Sequence, residues 1–472
     1  MNDELKIKNN KLGEKMKYRY RTDEEMKDSG IEWVGTIPKA WNLSKFKFIS
    51  ELYTGNSIKD NEKDNYQDSN EAYPYIATKD IDMNYNKADY FNGMYTKIND
   101  INFRIAKKNS ILLCIEGGSA GKKITYLNRN VSFVNKLCCI NPSNINNKYQ
   151  YYYCNSNSFL KEFNLNISGL IGGVSVGVLK NFIITKPNIV EQEKISKFLD
   201  KKTAQFDSII SKKEALIEKL EEAKKSLISE VVTGKVRVVK TNDGYELVER
   251  KKEEMKDSGV EWLGDIPKEW DVKRLRFLGS LQNGISKSSD EFGFGYPFVS
   301  YGDVYKNIEL PKEVKGLVNS SIQDRKIYSV EEGDVLFTRT SETVEEIGFA
   351  STCLEEIKDA TFAGFLIRFR PNSNRLFKGF SKYYFRCDLN RKFFVKEMNL
   401  VTRASLSQNL LNNLSVLLPS YEEQKEIYLA LELNVNSIND GISKIRYQIE
   451  KLKEAKQSLI SEAVTGKIEI LD

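Results

Sequence analysis

MKDSGIEWVGTIPKAW at residues 26–41 returns as MKDSGVEWLGDIPKEW at residues 255–270, with 12 of the 16 positions identical. All four tryptophans of the chain, Trp33, Trp41, Trp262 and Trp270, fall inside these two phrases, together with Pro38 and Pro267. Such a phrase opens something built twice, and internal repetition fixes an architecture before any local signal does. The repeat runs on past it. Tyr73-Pro74-Tyr75-Ile76 is answered by Tyr296-Pro297-Phe298-Val299, and Asn109-Ser110-Ile111-Leu112 by Gly333-Asp334-Val335-Leu336. Pro187 with Glu191-Gln192 and Ile195 is answered by Pro419 with Glu423-Gln424 and Ile427. The offset drifts from 229 through 223 to 232 residues, so the copies have kept their ends and diverged in their middles.

Each copy closes on a helix with nearly the same ending, SLISEVVTGK at 226–235 and SLISEAVTGK at 458–467, with Gly234 and Gly466 where a left-handed C-cap belongs. In the second helix Leu431, Val435, Ile438, Ile442, Ile445, Ile449 and Leu452 alternate steps of four and three, the seam spacing of a coiled coil. The equivalent positions of the first are Leu199, Thr203, Phe206, Ile210, Lys213, Ile217 and Leu220. Five of these seven are apolar, and Thr203 and Lys213 are expected near solvent. Two matched stripes predict seams that face each other. Ahead of the helices, SILLCI, VSFV, DVLFT and FLIRF are short β-branched or aromatic runs between Gly, Asn and Asp clusters, which read as strands of α/β domains. The chain therefore divides into a basic arm at 1–25, an α/β domain at 26–190, a helix at 191–235, a charged linker at 236–254, a second α/β domain at 255–418 and a second helix at 419–468.

Composition excludes much. A chain of 472 residues, 40% hydrophobic and 29% charged, has a soluble balance and suits two domains better than one core. No apolar run approaches the roughly 18 residues of a membrane span. The N-terminus lacks the apolar core of a secretory signal, so a cytoplasmic chain is expected. Six cysteines without a C-x-x-C pair, and no histidine at all, speak against a zinc site and for reduced, buried thiols. Without histidine the Ser-His-Asp and Cys-His nucleophile arrangements are excluded. Gly117-Gly118-Ser119-Ala120-Gly121-Lys122-Lys123 looks like a phosphate loop, but Glu116 and Lys123 stand where glycine and a hydroxyl are needed, so a Mg²⁺ ligand is missing. Phe292-Gly293-Phe294-Gly295 reads as a surface turn. No catalytic residue, metal site or cofactor is assigned to the chain.

The net charge of +6 permits a polyanion partner. The 117–123 loop places flexible backbone N–H groups beside Ser119, Lys122 and Lys123, and the second copy offers Thr338-Arg339-Thr340-Ser341 at the same place. Both suit phosphates and base edges. By residue type Thr78, Lys79, Tyr301 and Arg403 join them as candidate DNA contacts. Lys6 to Arg21 carries seven basic residues against the single acid Glu14, an arm suited to a DNA backbone.

On these residues the chain resembles the specificity subunits of type I restriction-modification enzymes, over nearly all of its length beyond residue 25. The doubled S-G-[IV]-E-W-[VL]-G-x-I-P-x-x-W, P-x-x-x-E-Q-x-x-I and S-L-I-S-E-x-V-T-G-K motifs carry the resemblance. It implies two strand-rich α/β target recognition domains, each followed by a long helix, the two helices pairing as an antiparallel coiled coil with an internal pseudo-twofold repeat. Each domain then reads one half of a split site in double-stranded DNA, in a bacterial or archaeal cytoplasm. Two methyltransferase subunits dock on the helices, and two restriction/translocase subunits join them. S-adenosylmethionine, ATP and Mg²⁺ are used by these partners, which accounts for a chain without catalytic groups. The resemblance supplies no residue code for base readout. The alternatives from different classes are a stand-alone two-headed DNA-binding protein without enzymatic partners and a nuclease with an unrecognised site. The 43 residues from Glu191 to Thr233 span roughly 64 Å at about 1.5 Å each, or about 19 base pairs, an upper bound on the gap between half-sites. The tryptophan pairs are expected to pin the start of each domain, each burial worth on the order of 3 kcal/mol.

Overall fold

The computed structural model describes residues 17–169, 171–340, 347–372, 374–398 and 406–471. The chain forms two units, Met1–Glu214 with Arg446–Asp472, and Ala215–Ile445. The boundary runs through both long helices, so each unit takes the start of one helix and the end of the other.

In the first unit Ile111–Cys114 is buried along its whole length because it serves two cores at once. Side chains alternate faces along a strand, and Ile111 and Leu113 enter a core with Trp41, Tyr149 and Phe159, while Leu112 and Cys114 enter another with Ile76, Val131 and Phe133. The strand lies between Ile124–Tyr126 and Leu137–Pro142, with Ser50–Thr54 beyond, all antiparallel. A second sheet runs Tyr95–Lys97, Ala72–Ile76, Val131–Phe133, Ile105–Ala106 and contains one parallel pairing, Tyr75 with Ser132. Helices Asn147–Cys154 and Asn157–Leu165 follow, their first turns capped by the Asn146 and Ser156 side chains.

The second unit repeats this plan. Val335–Thr338 lies between Leu366–Pro371 and Ala350–Thr352, with Gly279–Asn283 at the edge. Val335 and Phe337 enter one core and Leu336 the other. Phe292–Val299 again has a parallel neighbour, Thr361–Phe362, and helices Lys378–Tyr384 and Asp388–Met398 follow.

The long helices are Ile189–Val232 and Tyr421–Val464, 44 residues each. In the first unit Lys456 donates to Asp207 and Lys213 to Gln448, both at 2.6 Å; in the second Lys224 donates to Asn439 at 2.9 Å. One residue number falls as the other rises, so the helices are antiparallel. Along the expected seam Leu199, Ile210, Leu431, Val435, Ile442 and Ile449 are buried and the remaining apolar positions half-buried. Thr203 departs from expectation, for it is buried rather than near solvent. Its hydroxyl is satisfied by the Leu199 carbonyl at 2.7 Å and the Tyr152 hydroxyl at 3.2 Å.

Two charged segments correct the sequence reading. The 236–254 connector is not a linker: Val236–Thr241 and Gly244–Glu249 form an antiparallel hairpin. Its valines give it a face to bury, and Asn242-Asp243 form the two-residue turn, with Thr241 paired to Gly244, whose φ is +139°. The described part of the basic arm contains a strand as well. Tyr18–Tyr20 pairs with Ile468–Ile470 in the register Tyr18 to Ile470, matching Leu247 to Val238 in the hairpin. The two chain ends thus rebuild in one unit what is continuous in the other; residues 1–16 of the arm lie outside the described residues. All six cysteines are buried and unbridged. No described helix is long and apolar enough to cross a membrane.

Candidate nucleic-acid interface

Each unit has a clamp built from the doubled phrase. Trp41 is fully buried, and its indole donates to Glu191 at 2.8 Å; Trp270 donates to Glu423 at 3.0 Å. The other carboxylate oxygen accepts from Arg21 at 2.8 Å and from Arg250 at 2.9 Å. Burial raises the Glu423 carboxyl, opposed by the Trp270 indole and the Arg250 charge. Gly466 lies against Pro38 and Trp41, and Gly234 against Pro267 and Trp270, so closely that a Cβ would stand 2.5 Å and 2.4 Å from the proline rings. Gln192 and Gln424 each donate to the proline carbonyl before the helix, at 2.8 Å and 3.0 Å, and accept the amides of Asn146 and Phe377, both at 2.8 Å. The phrase therefore holds the start of its own helix and the end of the other. Trp33 and Trp262 are half-buried against the same cores. The sequence reading missed Arg21 and Arg250, although their shared offset of 229 with the phrase was a usable signal.

The candidate DNA contacts of the first unit gather at the 117–123 loop. Gly121 is pressed on Phe163, where a Cβ would stand 2.6 Å away, and Gly117 N–H donates to Gly172 at 2.8 Å. The amides of Ala120, Gly121, Lys122 and Lys123 are also bonded inside the loop or to Cys114. Contrary to expectation, these amides are not open to a phosphate, and what the loop offers is side chains. Lys122 is exposed and Ser119 half-buried. Lys123 donates to the Thr78 carbonyl at 2.8 Å, joining two stretches far apart in sequence, and Lys79 stands exposed on the turn beside it.

The second unit arranges different chemistry at the matching place. Thr338 is withdrawn from the candidate contacts: it is fully buried, and its hydroxyl accepts the Phe349 amide at 2.9 Å. Tyr301, Arg339 and Thr340 come together along a cleft of about 620 Å³, with Lys287, Phe292 and Phe365. Ser341 and Arg403 lie outside the described residues. Phe292-Gly293-Phe294-Gly295 is not a simple turn but the start of the strand Phe292–Val299, carrying exposed aromatic rings. The Arg325 guanidinium lies 3.5 Å from the Tyr296 ring centre. Lys287 is held by Glu291 at 3.2 Å and Asp324 at 3.3 Å, so that among the described residues Arg339 is the cleft cation without a carboxylate partner. Arginine reaches the two acceptors of guanine in the major groove, and apolar rings meet thymine methyls.

One scaffold built twice, closed by matching clamps and carrying unlike polar surfaces, defines a two-headed recognition protein. The chain belongs to the family described as the type I restriction modification DNA specificity domain, whose profile matches residues 38–221 and 267–451. It is 23% identical over 445 residues to the specificity subunit of the type I restriction enzyme MjaVIII of Methanocaldococcus jannaschii, covering 92% of this chain and 94% of that one. It is 21% identical over 454 residues to the EcoBI specificity subunit of Escherichia coli, covering 95% and 90%. A chain from a solved type I R-M system shares the fold with a TM-score of 0.67 at 14% identity, covering 91% of this chain and 99% of that one.

Proposed function

We propose that this chain is the sequence-reading subunit of a type I restriction-modification assembly, each α/β domain reading one half of a bipartite site in double-stranded DNA. The observation that carries this is the contrast within the repeat: the clamps match residue for residue, whereas one domain presents Lys122, with Lys123 bonded to the Thr78 carbonyl, and the other presents Tyr301, Arg339 and Thr340 along a cleft. Unlike surfaces on like scaffolds suit unlike half-sites. The paired helices set the gap between the halves. Methyl transfer from S-adenosylmethionine falls to two methyltransferase subunits, and cleavage driven by ATP with Mg²⁺ falls to two restriction/translocase subunits. The test is expression with the neighbouring genes of the system, followed by single-molecule methylation sequencing. One asymmetric, split motif is expected; a continuous palindrome or an unmethylated genome overturns the reading.

A further inference from the structure

Between the second tryptophan of each phrase and the sheet that follows, positions 42–49 and 271–278 share a single identical residue, Phe48 and Phe277. These rings are 64% and 62% exposed, while the buried neighbour two residues earlier varies from Phe46 to Leu275. A buried side chain is held by its core; an exposed phenylalanine gains little from folding, so stability does not explain why it is the one kept.

Its surroundings are kept too. Lys47 Nζ lies 5.2 Å from the Phe48 ring centre, and the Arg276 guanidinium 4.9 Å from that of Phe277. Each cation is held by one asparagine, Lys47 by Asn181 at 3.1 Å and Arg276 by Asn413 at 3.3 Å. Each asparagine also donates to the carbonyl four residues back, Gly177 at 3.1 Å and Asn409 at 3.0 Å. Lys45 and Arg274, both exposed, complete the cationic frame. The result in each unit is an exposed apolar ring beside a cation that an asparagine holds in place.

A feature alike in both units serves something alike at both. Phosphates would engage the cations but give the rings no burial, whereas aromatic and arginine side chains together are typical of protein–protein anchor points. We propose that Phe48 and Phe277 are twin anchors for two copies of one protein, each offering an apolar socket rimmed by carboxylates, and that this protein is the methyltransferase subunit. The proposal rests on the type I reading given above for the choice of partner.

The test uses the full chain with the methyltransferase subunit of its own system, titrated by native mass spectrometry. Phe48→Ala or Phe277→Ala alone is expected to weaken one of two binding events at least about tenfold, and the double variant both. Lys47→Glu with Arg276→Glu is expected to weaken both and to reduce their salt sensitivity. Thermal unfolding and DNA binding by the chain alone should not change, since the rings are exposed. Wild-type occupancy in the double variant overturns the proposal, as does lost DNA binding with intact assembly, which would turn the rings toward DNA. A wild-type chain that binds no methyltransferase overturns it together with the type I reading. A wild-type assembly that methylates no split motif defeats the half-site reading and leaves the anchors standing.

Discussion

The clamp of the first unit and that of the second agree in kind and in distance, Trp41 to Glu191 at 2.8 Å and Trp270 to Glu423 at 3.0 Å, with Arg21 and Arg250 in the same role. The sheets just beyond them differ at matching positions. Ser110 donates to Asn141 at 3.3 Å where Asp334, fully buried, is held by two nitrogens of Arg370 at 2.7 Å. Burial raises the Asp334 carboxyl, and the Arg370 contacts act against it. Trp33 sits beside Glu162, where Trp262 packs on Phe393 with ring centres 5.4 Å apart. The clamps cannot drift one residue at a time, because a glycine pressed on a proline admits no side chain and a buried charge that loses its partner is costly. A strand position asks only that its polar groups be satisfied, so pairs there can be exchanged together.

The largest expected effect tests whether the clamps are equivalent. Trp41→Ala and Trp270→Ala should each cost about 3–5 kcal/mol by denaturant unfolding; a large loss in one and a small loss in the other would break the comparison.

Next comes Glu162. Burial lifts its carboxyl from an ordinary value of 4.5 to about 7, against the pull of the Ile183 amide and the Trp33 indole. The fold binds this proton more tightly than the unfolded chain, so stability is fully present below about pH 4.5 and falls as pH rises toward 7, by on the order of 3 kcal/mol. Unfolding of Glu162→Gln followed from pH 4 to 8 should lack that slope. A slope unchanged by the substitution would place its source elsewhere.

Arg339→Ala should cost about 1–3 kcal/mol of binding and relax one half-site only, whereas Lys122→Ala should lower the salt slope by about one with less loss of sequence preference. Binding titrations on duplexes altered in either half distinguish them. The smallest effect is at the seam. Lys213→Leu should raise stability by about 1 kcal/mol in thermal unfolding by completing the apolar stripe; a loss would mean that its bond to Gln448 matters more.

The repeat, both long helices and their seam were legible in the sequence because each is written in periodic or duplicated residues. The hairpin at 236–249 was misread because its charges outweighed the valines and the Asn242-Asp243-Gly244 turn signal. The cleft of the second unit was only partly legible. Lys287, Phe292, Arg339 and Phe365 come from four separate segments, and no local pattern announces that they meet. Thr338 and the glycine-loop amides were misjudged for a related reason: residue type marks what a group can bind, whereas burial and prior hydrogen bonds decide whether it is free to do so.

In the proposed function, framing and reading belong to separate parts of the chain. The most direct test of this separation removes one heptad from each long helix and maps methylation in cells carrying the whole assembly. Seven residues at about 1.5 Å each correspond to about 3 base pairs. The expected result is the same two half-sites with a shortened gap; altered half-sites with an unchanged gap would contradict the account.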